Sequence, residues 1–118
     1  MKISNEIKKI IEDNALAVAT VNGKKPHAIA VACVKVLGNK VIISDVFMRH
    51  TSKNLRNNGN IALVVWNKDC TGFEIVGTAK HYSSGKWLKF VKGLKENKEL
   101  PVKGAIVVTV KEIKKLLG

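Results

Sequence analysis

At 118 residues, with 46% hydrophobic and 25% charged side chains, the chain has the size of one domain, residues 1–118, and a globular composition that excludes a disordered or fibrous protein. A domain of this length buries roughly 65% of its unfolded surface, so a single core needs no disulfide or metal staple. The formal charge of +12 comes from nineteen lysines and only two arginines, Arg49 and Arg56; it attracts phosphates of any kind but supplies few of the forked side chains that read base edges.

In chain order, Ile3, Ile7, Ile10 and Ile11 recur at helical spacing behind Ser4, a helix-capping residue, and the stripe stops at Asn14, which tolerates the left-handed conformation. Glu6, Glu12 and Asp13 interrupt this opening, unlike a secretory leader, and no apolar run reaches the roughly 18 residues that a membrane span needs. A cytoplasmic location without membrane contact is therefore expected.

Six segments then read as strands, being short and rich in β-branched residues: 15–21, 27–37, 40–46, 61–66, 73–82 and 105–110. The connections NGKK and GN are too short for a crossover helix, so the first three strands form an antiparallel meander. NKDCTG makes a further hairpin. Several strands are apolar on both faces and need cover from helices or a second subunit. Trp87, Leu88, Phe90, Val91 and Leu94 share one helical face behind Ser83 or Ser84, and Thr109 with Glu112 has the capping-box spacing ahead of a final helix carrying Ile113, Leu116 and Leu117. The expected fold is mainly β: a six-stranded antiparallel barrel flanked by three to four short helices. Cys33 and Cys70 stand far apart without a CxxC, which predicts two reduced, partly buried thiols.

The polar stretch MRHTSKNLRNNGN, Met48 to Asn60, predicts a helix of about two turns capped by Thr51 or Ser52, with Leu55 turned inward and Asn58 and Gly59 as the stop. The first turn of a helix exposes unpaired N–H groups and about half a positive charge. Two hydroxyls and Lys53 sit at that end, Arg49, His50 and Arg56 lie close by, and the helix contains no acid. A phosphate monoester suits such a set of donors. The plainer alternative is that the hydroxyls only cap the helix while the cations are solvated.

The chain lacks GxSxG, Walker, GxGxxG and HExxH motifs and any carboxylate cluster, and His27, His50 and His81 are far apart in sequence, so neither a metal site nor an acid, base or nucleophile is expected. The lysines allow a nucleic-acid-binding barrel as an alternative. Six aromatic residues, not interleaved with basic ones, make a poor stacking platform for it.

Taken in order, AVATVNGKKPHAIAV, a glycine hairpin, a strand running into RHTSKNLRNNGNIALVVW, and GFEIVGTAK together resemble the flavin-binding split-barrel family of pyridoxamine 5'-phosphate oxidase and the small FMN-binding proteins. The resemblance covers about Asn14 to Val110 and rests on the order and spacing of these pieces. It implies a Greek-key-like split barrel and a homodimer with FMN in clefts between the subunits. It also implies that Thr51, Ser52 and Lys53, helped by His50 or Arg49, grip the FMN phosphate, and that the ring lies along the backbone of His27, Ala28, Ile29, Ala30 and Val31, with Ser44 and Asp45 on the neighbouring strand. A deazaflavin or haem in the same cleft is the alternative within the family. The oxidases carry a basic pair on the second strand and an arginine-rich C-terminal extension, which this chain lacks, so oxidation of pyridoxamine phosphate is not expected of it. The implied chemistry is FMN-mediated redox or electron transfer, with reduced nicotinamide or an electron-transfer protein as donor, because a flavin carries the chemistry while the protein positions it. Trp66, Trp87 and Phe73 are candidates to face the cleft, with ordinary packing as the favoured alternative.

Overall fold

A computed structural model describes residues 2–116. Its elements run α1 (Asn5–Asp13), β1 (Leu16–Asn22), β2 (Lys25–Val31), β3 (Val34–Leu37), β4 (Lys40–Asp45), α2 (Arg49–Asn57), β5 (Asn60–Trp66), β6 (Gly72–Tyr82), α3 (Gly85–Lys92), a single 3-10 turn (Lys95–Asn97) and β7 (Gly104–Lys115). All strand pairs are antiparallel, in one sheet of order β2-β1-β5-β6-β7-β4-β3. The architecture is thus mainly β, with seven strands rather than six, and the sheet curls without closing.

The seventh strand comes from the segment 27–37 expected as one. Its first half pairs with β1 and its second half with β4, at opposite ends of the sheet, so the chain bends at Ala32 and Cys33 and cannot pair along its whole length. The anticipated meander is therefore two separate hairpins. The C-terminal helix is also corrected: β7 continues through Lys115, because Glu112, Ile113, Lys114 and Lys115 extend the β6 ladder opposite Val76 to Phe73. Tertiary pairing overrode a local capping pattern. Leu117 of that expected helix lies outside the described residues.

Strand periodicity sorts the core into two layers. Val41 and Ile43 of β4 and Ile106 and Val108 of β7 point into the main core with Ile10, Ile11, Leu16, Leu63 and Ile75. The alternating residues Ile42, Ala105 and Val107 point the other way, onto Val91 and the half-buried Trp87, Leu88, Phe90 and Leu94 around α3. These two-sided strands are covered by helices of their own chain, whereas Phe73 is core and Trp66 is exposed. Ser4 caps α1 as expected, its hydroxyl accepting the Ile7 N–H, while Asn14 is extended rather than left-handed. Cys33 is half-buried; Cys70, in the β5–β6 turn, is exposed rather than partly buried.

The two sheet edges differ. On β3, the Val36 N–H donates to Glu12 of α1 at 2.8 Å, a side chain covering an open edge. Edge strand β2 pairs only with β1, and its residues Pro26, Ala28 and Ala30 are exposed.

Lys35 of β3 is tied to Glu96 of the 3-10 turn at 2.6 Å. The shared hydrogen bond holds the Glu96 carboxyl below its ordinary 4.5 and raises the Lys35 ammonium above its ordinary 10.5. Glu96 thus contributes stability above its ordinary value that is lost as pH falls through the depressed one. Lys35 contributes stability that is lost as pH rises through its raised value. Both groups are substantially exposed, so the effect is small. The difference in melting temperature between the wild type and Lys35→Met should be constant from about pH 5 to pH 10 and shrink at both extremes; a difference that peaks in acid would contradict the pairing.

Candidate functional site

The chain from β4 through α2 is organised by one buried carboxylate. Asp45, at the end of β4, accepts the Met48 N–H on Oδ1 at 3.0 Å and the Ser52 hydroxyl on Oδ2 at 3.0 Å, and His81 Nε2 of β6 lies 2.7 Å from Oδ2. Both Asp45 and Ser52 are buried. Asp45 therefore pins the start of α2 to β4 and β6. This corrects the expected cap: the helix begins at Arg49 with Met48 in the capping position, the Met48 N–H and the Ser52 hydroxyl are held from outside by Asp45, and Thr51 and Ser52 lie within the first turn. An acid does sit against this helix start, three residues ahead of Met48 and outside the helix itself.

Thr51 is buried, and its Oγ1 has no hydrogen-bond partner among the described residues. Arg49, His50 and Lys53 are exposed. The His50 ring stands 5.8 Å, centroid to centroid, from the ring of His27, which joins the first turn of α2 to β2. Asn54 and Leu55 anchor the inner face of α2: Asn54 Nδ2 donates to Thr20 of β1 at 3.1 Å, and Leu55 enters the main core.

Along β2 runs a cavity of about 460 Å³, within the usual size of a ligand pocket, lined by Ile29, Ala30, Val31, Ala32, Cys33, Ser44, Val46, Phe47, Met48 and Leu100. It unites three of the five predicted strand residues with Ser44; His27 lies toward α2, beside His50. Ser44 is fixed in place: Asn97 Nδ2 donates to its Oγ at 2.8 Å, and that hydroxyl reaches Cys33 Sγ at 3.6 Å. Asp45 does not line this cavity. It faces a second one of about 470 Å³, on the other side of Val46, Phe47 and Met48, together with Arg49, Ser52, Arg56, His81, Ser83 and Lys103.

Cys33, Phe47, Asn97, Leu100, His81, Ser83 and Lys103 were not singled out for the site from sequence. His81 reaches Asp45 across 36 positions because β6 and β4 flank β7, and Asn97 reaches Ser44 across 53. No local motif signals either contact. The exposure of Phe47, 81%, had a faint signal in its place between an apolar strand and a polar helix.

The family model of pyridoxamine 5'-phosphate oxidase matches residues 3–117. The chain belongs to this family. It is 33% identical to the uncharacterized protein MJ0282 of Methanocaldococcus jannaschii, over 96% of this chain and 80% of that one. HupZ of Group A Streptococcus shares the fold with a TM-score of 0.88 at 23% identity, covering 97% of this chain and 94% of HupZ. An FMN-binding protein of Syntrophomonas wolfei superposes with a TM-score of 0.75 at 14% identity, over 96% of this chain and 85% of that chain. An F420 reductase superposes equally well, 0.75 at 18% identity, over 95% and 98%. These structural likenesses establish the fold of this family member. Among its described residues no helix is long and apolar enough to cross a membrane, and no cluster of three or more metal-ligating side chains occurs.

Proposed function

We propose that this family member binds FMN in the cleft along β2, as a homodimer, and carries out flavin-mediated redox or electron transfer. The observation that carries the reading is the cavity on the unpaired edge of β2. Its lining is mostly apolar, as a flat ring system requires, and the edge strand offers free N–H and C=O groups beside it. Fit at the phosphate end comes from the N–H groups of the first turn of α2, with His50, His27 and Lys53. The hydroxyl of Thr51 is sealed and that of Ser52 is committed to Asp45, so Thr51 contributes through its backbone and Ser52 by holding the helix start in place.

Bound there, the cofactor would supply reversible two-electron chemistry. The chain's own work is placement. Edge-strand amides orient the ring, and Ser44, locked by Asn97, presents a fixed hydroxyl at its side. Phe47 and Leu100, exposed in a single chain, form an apolar rim that a second subunit covers, excluding water from the cleft. The surrounding lysines draw in anionic donors such as reduced nicotinamide, or an acidic electron-transfer protein.

An absorption spectrum of the purified protein with added FMN tests this. Stoichiometric uptake is expected, and the double variant His50→Ala with Lys53→Ala should bind FMN roughly 30-fold more weakly, since each charged or strongly polar phosphate contact contributes about 1 kcal/mol. A deazaflavin or haem spectrum in the native protein would replace FMN by that ligand. Absence of uptake with any of the three would overturn the reading, and tight, FMN-insensitive oligonucleotide binding would favour the nucleic-acid alternative.

A further inference from the structure

We infer that the second cavity, between α2 and the ends of β4 and β6, is a binding site for the oxyanion group, phosphate or carboxylate, of a small anionic substrate. Nineteen of the chain's twenty-one cationic side chains are lysine, yet both arginines, Arg49 and Arg56, line this one cavity. Seven positions apart, they stand two turns apart on one face of α2. Lysine suffices wherever only charge is wanted; a guanidinium adds a rigid planar fork matched to the paired oxygens of a phosphate or carboxylate.

Three further observations support the site. Neither guanidinium has an ion-pair partner among the described residues. Lys103 adds a third cation to the lining, and Ser83 a hydroxyl. The one acid present, Asp45, is already met by the Met48 N–H, the Ser52 hydroxyl and His81, so its charge is answered from within the protein and the arginines are left for a ligand. The cavity shares Val46, Phe47 and Met48 with the cleft along β2. A molecule anchored by its oxyanion at Arg49 and Arg56 can therefore extend past Phe47 toward whatever occupies that cleft. The anion site stands without a flavin; its role as the seat of the redox substrate rests on the proposed FMN function.

The two arginines make the test direct, since the folded chain has only two arginine Nε–H signals in a proton–nitrogen correlation spectrum. FMN-treated protein, with any flavin-phosphate contacts satisfied, is titrated with inorganic phosphate while these signals and the backbone amides of Arg56, Ser83 and Lys103 are followed. Saturable shifts at these positions are expected. Arg49→Lys with Arg56→Lys, which keeps the charge and removes the forks, should weaken the apparent affinity about 10-fold, whereas Lys68→Ala, a charge removed from an exposed turn far from the cavity, should leave it within about 2-fold. Non-saturating shifts, or equal affinity in the double lysine variant, would overturn the site. If phosphate saturates these signals in protein that takes up no FMN, the anion site holds and the flavin function fails. If FMN is bound but the arginine signals stay still, the flavin function holds and this inference fails.

Discussion

Alanine at position 45 is expected to lower the unfolding free energy by about 3 to 5 kcal/mol, the usual cost of removing one partner from a buried charged hydrogen-bonded cluster. Asp45 is buried and accepts from Met48, Ser52 and His81. Truncation leaves those groups without their acceptor and unties the start of α2 from β4 and from β6. Asp45→Asn preserves the shape and can still accept the Met48 N–H, so it should recover part of the loss. Urea denaturation monitored by circular dichroism measures both variants. A loss below about 1 kcal/mol for the alanine variant, as at a solvated surface site, would show that α2 is held by other contacts. Because α2 also carries His50 and Lys53, proposed to hold the FMN phosphate, the alanine variant should on that reading bind FMN more weakly at temperatures where it remains folded.

Gly77→Ala should be comparably damaging for a different reason. Between Val76 and Gly77 the β6–β7 ladder slips by one residue: Val76 stands opposite Glu112 and Gly77 opposite Val110, so Lys111 is the extra residue of a β-bulge. The bulge brings β7 so close that a Cβ on residue 77 would overlap the Thr109 carbonyl oxygen and sit 3.2 Å from the Val110 Cα. Both obstacles are backbone in the central pair of the sheet, with no flexible side chain to yield. Moving the strands apart would weaken the longest ladder of the fold, and a loss of about 2 to 3 kcal/mol, at the upper end of overpacking costs, is expected. Gly23→Ala makes a useful contrast. That glycine meets nothing within 4 Å but has φ +62°, so its penalty is conformational and nearer 1 kcal/mol. Equal thermal shifts for the two variants would contradict the steric account.

The sheet was largely legible because β-branched runs separated by short turns leave few alternatives to antiparallel hairpins. Where local pattern and long-range pairing disagreed, pairing prevailed. Residues 27–37 are uniformly strand-like, yet one copy of that segment serves two hairpins at opposite edges, a division that composition does not mark. Thr109 and Glu112 match a capping box, but in the sheet Thr109 faces Thr78 and Glu112 faces Val76, and the ladder absorbs them. The polar stretch after β4 was legible as a short helix, and its inner residue Leu55 was read correctly. Its true organiser was not, because the Asp45 carboxylate acts on it from the preceding strand and is completed by His81 from a strand far along the chain. The line of Ile29, Ala30, Val31 and Ser44 around one cavity came from resemblance, since nothing in four small or aliphatic residues by itself announces a ligand.

The cavity on the free edge of β2 is proposed to receive a flat aromatic cofactor. Quenching of FMN fluorescence on titration with protein tests it most directly when the wild type is compared with Ala30→Trp, a substitution at an exposed position of the cavity wall that fills the cleft without entering the core. Saturable one-to-one quenching by the wild type is expected, with at least about 100-fold weaker binding by the tryptophan variant and both proteins melting within a few degrees of each other. Equal quenching by the two would place the flavin elsewhere on the molecule, and no quenching by the wild type would contradict flavin binding itself.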